Sequence, residues 1–401
     1  MKKVSIFVLI LLFMIGSGVL ATDTRVLTMG DNNMIMLDDA NIWLFPSRFF
    51  EYPNLAIGEF SNADFTQFGI HWKFGKDNPL VVGTYFTDLG AAYPTDLLGG
   101  IIDPFDAPLL DNRRIDFFYG NEIGGFNFGS HFAYYSSSQE VDAAANQEKE
   151  SFGFYDLNFG LTSNSGSWDI VLNVGFGNWT DEDVDGNTET EPDGFTNFGV
   201  MGRYFWQWNP NYTLVPHAGF FAAKRGIIDN IFYDGDPADE DRTDKYKLTG
   251  FDLGIGANYT PTANVLAVCD FGFLYEKWKH DIDVDEAVAG LDEDAEETYA
   301  ATVLPYFKIG LDADVFKWMD VRFGATSYWV KDSDKLEVAA GDFELKSSYA
   351  DNDTYLGFGF HWKRLHIDTY TDPQLFLDGL NFISGSDIDM NFRISAVYEM
   401  M

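Results

Sequence analysis

The chain has 401 residues, a net charge of −37 at neutral pH and one cysteine; 17% of it is aromatic, while its mean hydropathy is only −0.14. Charge of that sign repels nucleic acid and anionic headgroups, and the lone Cys269 excludes an intramolecular disulfide. High aromatic content beside low hydropathy fits a wall in which only alternate residues are apolar.

Lys2 and Lys3 precede an apolar run from Val4 to Leu20, and Val19-Leu20-Ala21 closes it with small or modest residues. That is the plan of a signal peptide over residues 1–21, cleaved near Ala21. Beyond Ala21 no stretch approaches the ~18 consecutive apolar residues of a membrane helix.

Residues 22–53 form an N-terminal segment, periplasmic or lumenal, that does not alternate. Leu37-Asp38-Asp39-Ala40-Asn41-Ile42-Trp43-Leu44-Phe45-Pro46 mixes acids with large apolar groups, as a short helix, an irregular strand or a piece folded into a lumen would. The segment is too short for the plug domain of energy-coupled transporters.

Residues 54–401 read as strand after strand. Phe68-Ile70-Trp72-Phe74 oppose Gly69-His71-Lys73, and Ile115-Phe117-Tyr119 oppose Arg114-Asp116-Gly120. In the central hairpin Phe251-Leu253-Ile255-Ala257-Tyr259 alternate with Asp252-Gly254-Gly256-Asn258, and Val265 to Tyr275 repeat the pattern after Pro261–Asn264. A period of two means extended strand. The sparse, glycine-bearing face is the wrong outer face for a soluble sandwich. Runs of about nine to eleven residues match a tilted strand crossing hydrocarbon. Weaker runs at Asn54–Phe60, Leu80–Thr87 and Leu365–Thr371 bring the count to about sixteen, within a range of about 14–18. The fold class is all-β, a transmembrane antiparallel up-and-down β-barrel.

Short connections at Lys76–Pro79, Ser163–Gly166, Asn209–Asn211, Pro261–Asn264 and Phe316–Trp318 take turns with long ones near Gly90–Asn112, Ser137–Lys149, Thr180–Gly194, Gly226–Asp244, His280–Thr298 and Lys331–Asp353. Short periplasmic turns and long acidic extracellular loops have this rhythm. The pattern resembles bacterial outer-membrane β-barrel proteins of the porin-like kind over nearly all of residues 54–401. The last run, Phe392-Ile394-Ala396-Tyr398-Met400, is similar to the C-terminal strand that the barrel-assembly machinery reads, except that it ends in Met400-Met401.

The resemblance implies a Gram-negative outer membrane as location, its lipid and lipopolysaccharide as surroundings, and small solutes as cargo. A homo-oligomer stays open. Passive diffusion of small solutes or ions is the first functional reading. A FadL-like transporter of hydrophobic substrates, with residues 22–53 as a short plug, is one alternative, and a non-transporting surface or adhesin-type barrel is the other. Aromatics lining the lumen beside residues 22–53 favour the plugged transporter.

The lumen selectivity candidates are the charged residues of the glycine-bearing face: Lys73, Arg114, Asp116, Arg203, Asp252, Asp270, Lys308, Asp312, Arg322, Lys363 and Arg393. His71, His131, His217, His361 and His366 share that face, and His280 falls in a loop. Asp181, Asp183 and Asp185 open a D-x-D-x-D-G calcium pattern whose twelfth position is Pro192 where a bidentate Glu belongs, so Ca2+ on the acidic loops is a weak expectation. No cofactor is expected. Without a G-x-S-x-G elbow, or a carboxylate pair in an apolar pocket, neither is an enzyme.

Overall fold

Every segment that alternates in the sequence is a strand. The structure, a computed structural model, describes residues 23–61, 66–76, 79–88, 113–143, 146–183, 189–229, 242–283, 295–338, 341–371 and 392–400. The signal-peptide expectation falls outside them. The first strands are β1 Leu55–Ser61, β2 Thr66–Phe74, β3 Leu80–Asp88, β4 Arg113–Ile123, β5 Phe126–Ala143, β6 Asn146–Ser163, β7 Trp168–Asp183, β8 Glu189–Tyr204 and β9 Trp206–Asn209. They are followed by β10 Tyr212–Asp229, β11 Arg242–Thr262, β12 Val265–Asp283, β13 Ala295–Phe316, β14 Met319–Val338, β15 Gly341–Trp362, β16 Leu365–Thr371 and β17 Phe392–Glu399.

Each strand pairs antiparallel with its chain neighbours, and β8 and β9 lie end to end against β10, interrupted at Phe205. The wall therefore has sixteen staves, and it closes where β17 meets β1, from Leu55↔Glu399 to Ser61↔Arg393. Closure leaves no unpaired edge, which a sheet in hydrocarbon requires.

The apolar parity points outward. Ile255 and its cross-strand partner Phe271 are each 51% exposed, whereas Val268 and Asp270, one residue from Phe271 in parity, are buried. A contiguous apolar outer band is stable only against lipid. Aromatics gird it at the short-turn end: Tyr212 stacks on Tyr259 at 4.3 Å, and Phe316 on Trp318 at 5.6 Å. Replacing Ile255, at mid-band, by Arg is expected to cost about 2–4 kcal/mol of folding stability in liposomes, while Arg at Thr249, above the band, costs about 0–1 kcal/mol. Urea unfolding curves of the two variants check this.

Both ends of the barrel chain, Leu55 and Glu399, lie at the short-turn rim. A further tight turn at that rim joins β4 to β5 through Gly124 (φ +61°) and Gly125 (φ +87°), a pair of positive angles that glycine adopts without strain. It fills the place between two long connections where the sequence reading found no short one.

At the other rim strand pairing extends into the expected long loops. Most of Ser137–Lys149 and Thr180–Gly194, and nearly all of Lys331–Asp353, is paired strand, as are the two ends of Gly226–Asp244 and His280–Thr298; all of Gly90–Asn112 lies outside the described residues. β13 and β15 run to 22 residues each, about twice what the bilayer needs. His280 is thus in β12, stacked on Tyr246 at 4.1 Å, and not in a loop. Of the calcium pattern, Asp181 and Asp183 stand in β7, with Asp181 opposite Thr190 of β8. Asp185 lies outside the described residues.

Candidate functional site

Residues 23–53 occupy the lumen. They form α1 (Asp23–Thr28), α2 (Asn41–Leu44) and a 3-10 helix (Pro46–Glu51), with Pro46 at the first turn of the last. Short helices satisfy backbone groups locally, as a chain enclosed by a closed sheet must: Met29 N–H donates to Arg25 O (3.1 Å) and Phe45 N–H to Asn41 O (2.7 Å). Helix α1 packs against β14 to β17, and the 3-10 helix against β3 to β6. Met29, Ile35, Phe45 and Phe49 have no exposed surface. We call this segment the hatch.

The inward glycines are its seats. A Cβ on Gly129 would stand 2.0 Å from Pro46 O, and one on Gly324 would stand 2.1 Å from Gly30 N. Gly256 receives Ile35 and Gly357 receives Thr28. Elsewhere the same face lets rings lie flat on the sheet, as Tyr85 does on Gly69 and Phe221 on Gly250. All the seats lie in the half of the barrel nearer the short turns.

Arg203 of β8 is the strongest polar anchor. Its Nη1 donates to three hatch carbonyls, Asn33 (2.9 Å), Met34 (3.1 Å) and Met36 (3.0 Å), and its Nη2 donates to Asn41 Oδ1 (2.9 Å). Its Nε is bonded to Asp169 Oδ2 (2.7 Å), and its guanidinium lies 4.3 Å from the centroid of Phe45. The same Asp169 takes Arg48 of the hatch at 2.9 Å, so two arginines share one buried carboxylate across the hatch–wall seam.

Other candidates join this seam. Lys308 Nζ donates to the carbonyl and the carboxylate of Asp31, both at 3.0 Å. Asp312 accepts from Arg25 of α1 (3.0 Å) and from Arg322 (3.2 Å). Arg322 also meets Asp320 (3.0 Å) and Asp368. Arg393 pairs with Glu59 (2.9 Å) and with Asp23 of α1 (3.6 Å). Arg114 bonds Asp116 (2.6 Å), which also takes His131 (2.7 Å), and stacks over Trp43 of the hatch at 4.8 Å. His71 Nδ1–H donates to Tyr52 O at 2.6 Å, leaving Nε2 to accept from Tyr85 at 2.6 Å.

Four candidates stand apart from the hatch. Asp252 and Asp270 flank His217 at 3.3 and 3.1 Å, Lys73 is exposed at the end of β2, and Lys363 sits in the β15–β16 turn with φ +52°. Lys363 borders a cavity of about 550 Å³ beneath α1, at the short-turn mouth, with Arg25, Asp312, Arg322, His361 and His366. Among the described residues no group of three or more His, Cys, Asp or Glu is arranged to hold a metal ion.

The residues that sequence reading missed are the hatch's own: Arg25, Asp31, Asp38 and Arg48, with Ser47 bonded to Thr162 of β6 at 2.7 Å. Above the hatch, inward aromatics continue the lumen wall, with Phe154 against Tyr135 (5.7 Å) and Phe195 (4.9 Å), beside Phe221, Tyr246, Leu248 and Trp278. Beside the hatch itself, Tyr85 and Phe118 of the wall pack on Trp43 at 4.8 and 5.0 Å.

The sequence matches no protein-family model and no curated protein. Among solved structures it is similar to CdiB from Escherichia coli, at 10% identity over 86% of this chain and 63% of that one, with a TM-score of 0.42. It is also similar to the alcaligin outer-membrane receptor FauA from Bordetella pertussis (7%, 86% and 75%, TM-score 0.40) and to the ferric-catecholate import receptor Fiu from E. coli K12 (6%, 86% and 81%, TM-score 0.35). The likeness is weak, and the closed sixteen-stave membrane barrel rests on its own strand pairing.

Proposed function

We propose that this chain is an outer-membrane transporter for hydrophobic or amphipathic small molecules, closed at rest by its own N-terminal hatch. One observation carries the reading: residues 23–53 are seated in the lumen by glycine hollows and by Arg203, so the space an open diffusion pore needs is filled. The aromatic wall above the hatch gives an apolar solute a surface on which to leave water, worth about 25 cal/mol per Å² of apolar area covered. Substrate movement then requires the hatch to shift, and the lumen charges read from the sequence as selectivity elements act in part as its latches. The setting is the bacterial outer membrane, reached through the barrel-assembly machinery.

Planar-bilayer recordings of the purified chain test this. A closed baseline with brief, infrequent openings is expected. Steady ohmic steps at every insertion contradict it and return the chain to passive diffusion.

A further inference from the structure

Above the membrane band, β11 to β15 continue as tall ribbons whose two faces differ in charge. Trp278 pairs across strands with Tyr299, and Val330 with Tyr349, so by parity all four point toward the barrel axis. Glu276, Asp332 and Asp334 share that face, Glu276 being opposite Ala301 and Asp334 opposite Tyr299. Near the tip Leu336 pairs with Phe343, and Phe343, Leu345 and Tyr349 are 65%, 60% and 51% exposed. So large an exposed apolar face on an ordered ribbon marks a binding surface.

The outward parity carries Lys247, Lys277, Lys279, Lys331, Lys335 and Lys346. Four of these are already matched by carboxylates: Lys247 and Lys279 by Asp281 (3.3 and 2.7 Å), Lys346 by Glu344 (2.8 Å), and Lys335 by Glu337. None of the ion pairs among the described residues takes up Glu276, Asp332 or Asp334; Asp332 accepts only from Ser347, at 3.1 Å from its backbone N–H. Burial pushes the Tyr299 phenol above its usual range, and the charges of Asp332, Tyr349, Glu276 and Asp334 add to the shift. Aromatic faces beside unpaired carboxylates are complementary to one kind of solute, an apolar body carrying delocalised positive charge.

We infer that the inner face of the β11–β15 ribbons is a capture site for lipophilic organic cations, which rests on the transport reading and names its substrate class. The face is continuous with the aromatic wall of the lumen through Trp278 and Leu248, so a captured cation is delivered toward the hatch.

Tetraphenylphosphonium and tetraphenylborate are nearly the same shape and opposite in charge. With the full chain in phosphatidylcholine nanodiscs and empty discs as baseline, tetraphenylphosphonium is expected to bind at least about tenfold more tightly. The combined Glu276→Gln, Asp332→Asn and Asp334→Asn variant, with unchanged heat-modifiable mobility, is expected to lose about that factor and to keep its affinity for neutral triphenylphosphine oxide. Equal binding of the two ions by the wild type, which needs no variant, overturns the assignment, as does an undiminished affinity in the folded triple variant. Either failure leaves hatch gating intact, whereas cation selectivity with a hatch that never gates overturns the transport reading alone.

Discussion

Replacing Arg203 by Ala is expected to convert a closed barrel into a leaky one. The side chain is fully buried and donates to three hatch carbonyls, to Asn41 and to Asp169. Without it the carbonyls of Asn33, Met34 and Met36 lose that donor in a place water reaches only if the hatch moves, and Asp169 keeps Arg48 and Thr162 alone. Removing one partner of such a buried network costs about 3–5 kcal/mol. At about 1.4 kcal/mol per factor of ten, the balance between seated and unseated hatch shifts by roughly 10² to a few times 10³. The wall keeps its sixteen-stave ladder, so the barrel is expected to stay folded, with unchanged heat-modifiable mobility. Arg203→Lys keeps the charge but cannot spread donors over three carbonyls, an amide and a carboxylate, and is expected to leak at an intermediate level. Bilayer conductance of the three proteins checks the order; an Arg203→Ala barrel as silent as the wild type contradicts it.

Adding a single methyl group at the hatch seats is expected to unseat the hatch as effectively. At Gly129 and Gly324 a Cβ falls 2.0 and 2.1 Å from hatch backbone, which has no flexible side chain to yield. Overpacking a close-fitted contact costs about 1–3 kcal/mol, and more where backbone must retreat. Gly219 is the control: it lies on the same face, and its Cβ would meet nothing nearer than Met201 Cγ at 3.7 Å. Trypsin reads the outcome through Arg25 and Arg48, both inside the hatch and engaged in ion pairs when it is seated. Cleavage at those residues is expected to accelerate in Gly129→Ala and Gly324→Ala and to stay at the wild-type rate in Gly219→Ala. Equal rates in all three contradict the seating.

The wall was legible because lipid on one side and lumen on the other impose a period of two, and that period alone assigns Ile255, Phe271 and Asp270 to their faces. The ribbons were not, because above the bilayer both faces carry polar residues: Lys331 to Asp353 alternates Lys and Asp with Leu and Phe too irregularly to read as strand. The hatch was legible only as a segment that failed to alternate. Its partners lie far off in sequence, Arg203 and Asn33 being separated by 170 residues, and its fit depends on glycines whose missing side chains say nothing about what fills them. Which of the charges on the glycine-bearing face meet the hatch followed from contacts with residues 23–53 that no spacing encodes.

A reversible tether between hatch and wall tests the central claim most directly. Ser47 Oγ and Thr162 Oγ1 are 2.7 Å apart, a side-chain contact close enough for a Ser47→Cys, Thr162→Cys disulfide. It is built in the Arg203→Ala background with Cys269, which faces outward, changed to Ser. Oxidised, this protein is expected to fall silent in the bilayer, and a reductant is expected to restore the Arg203→Ala conductance. Conductance that persists while the disulfide is closed would show that current passes without hatch movement, and would contradict the account.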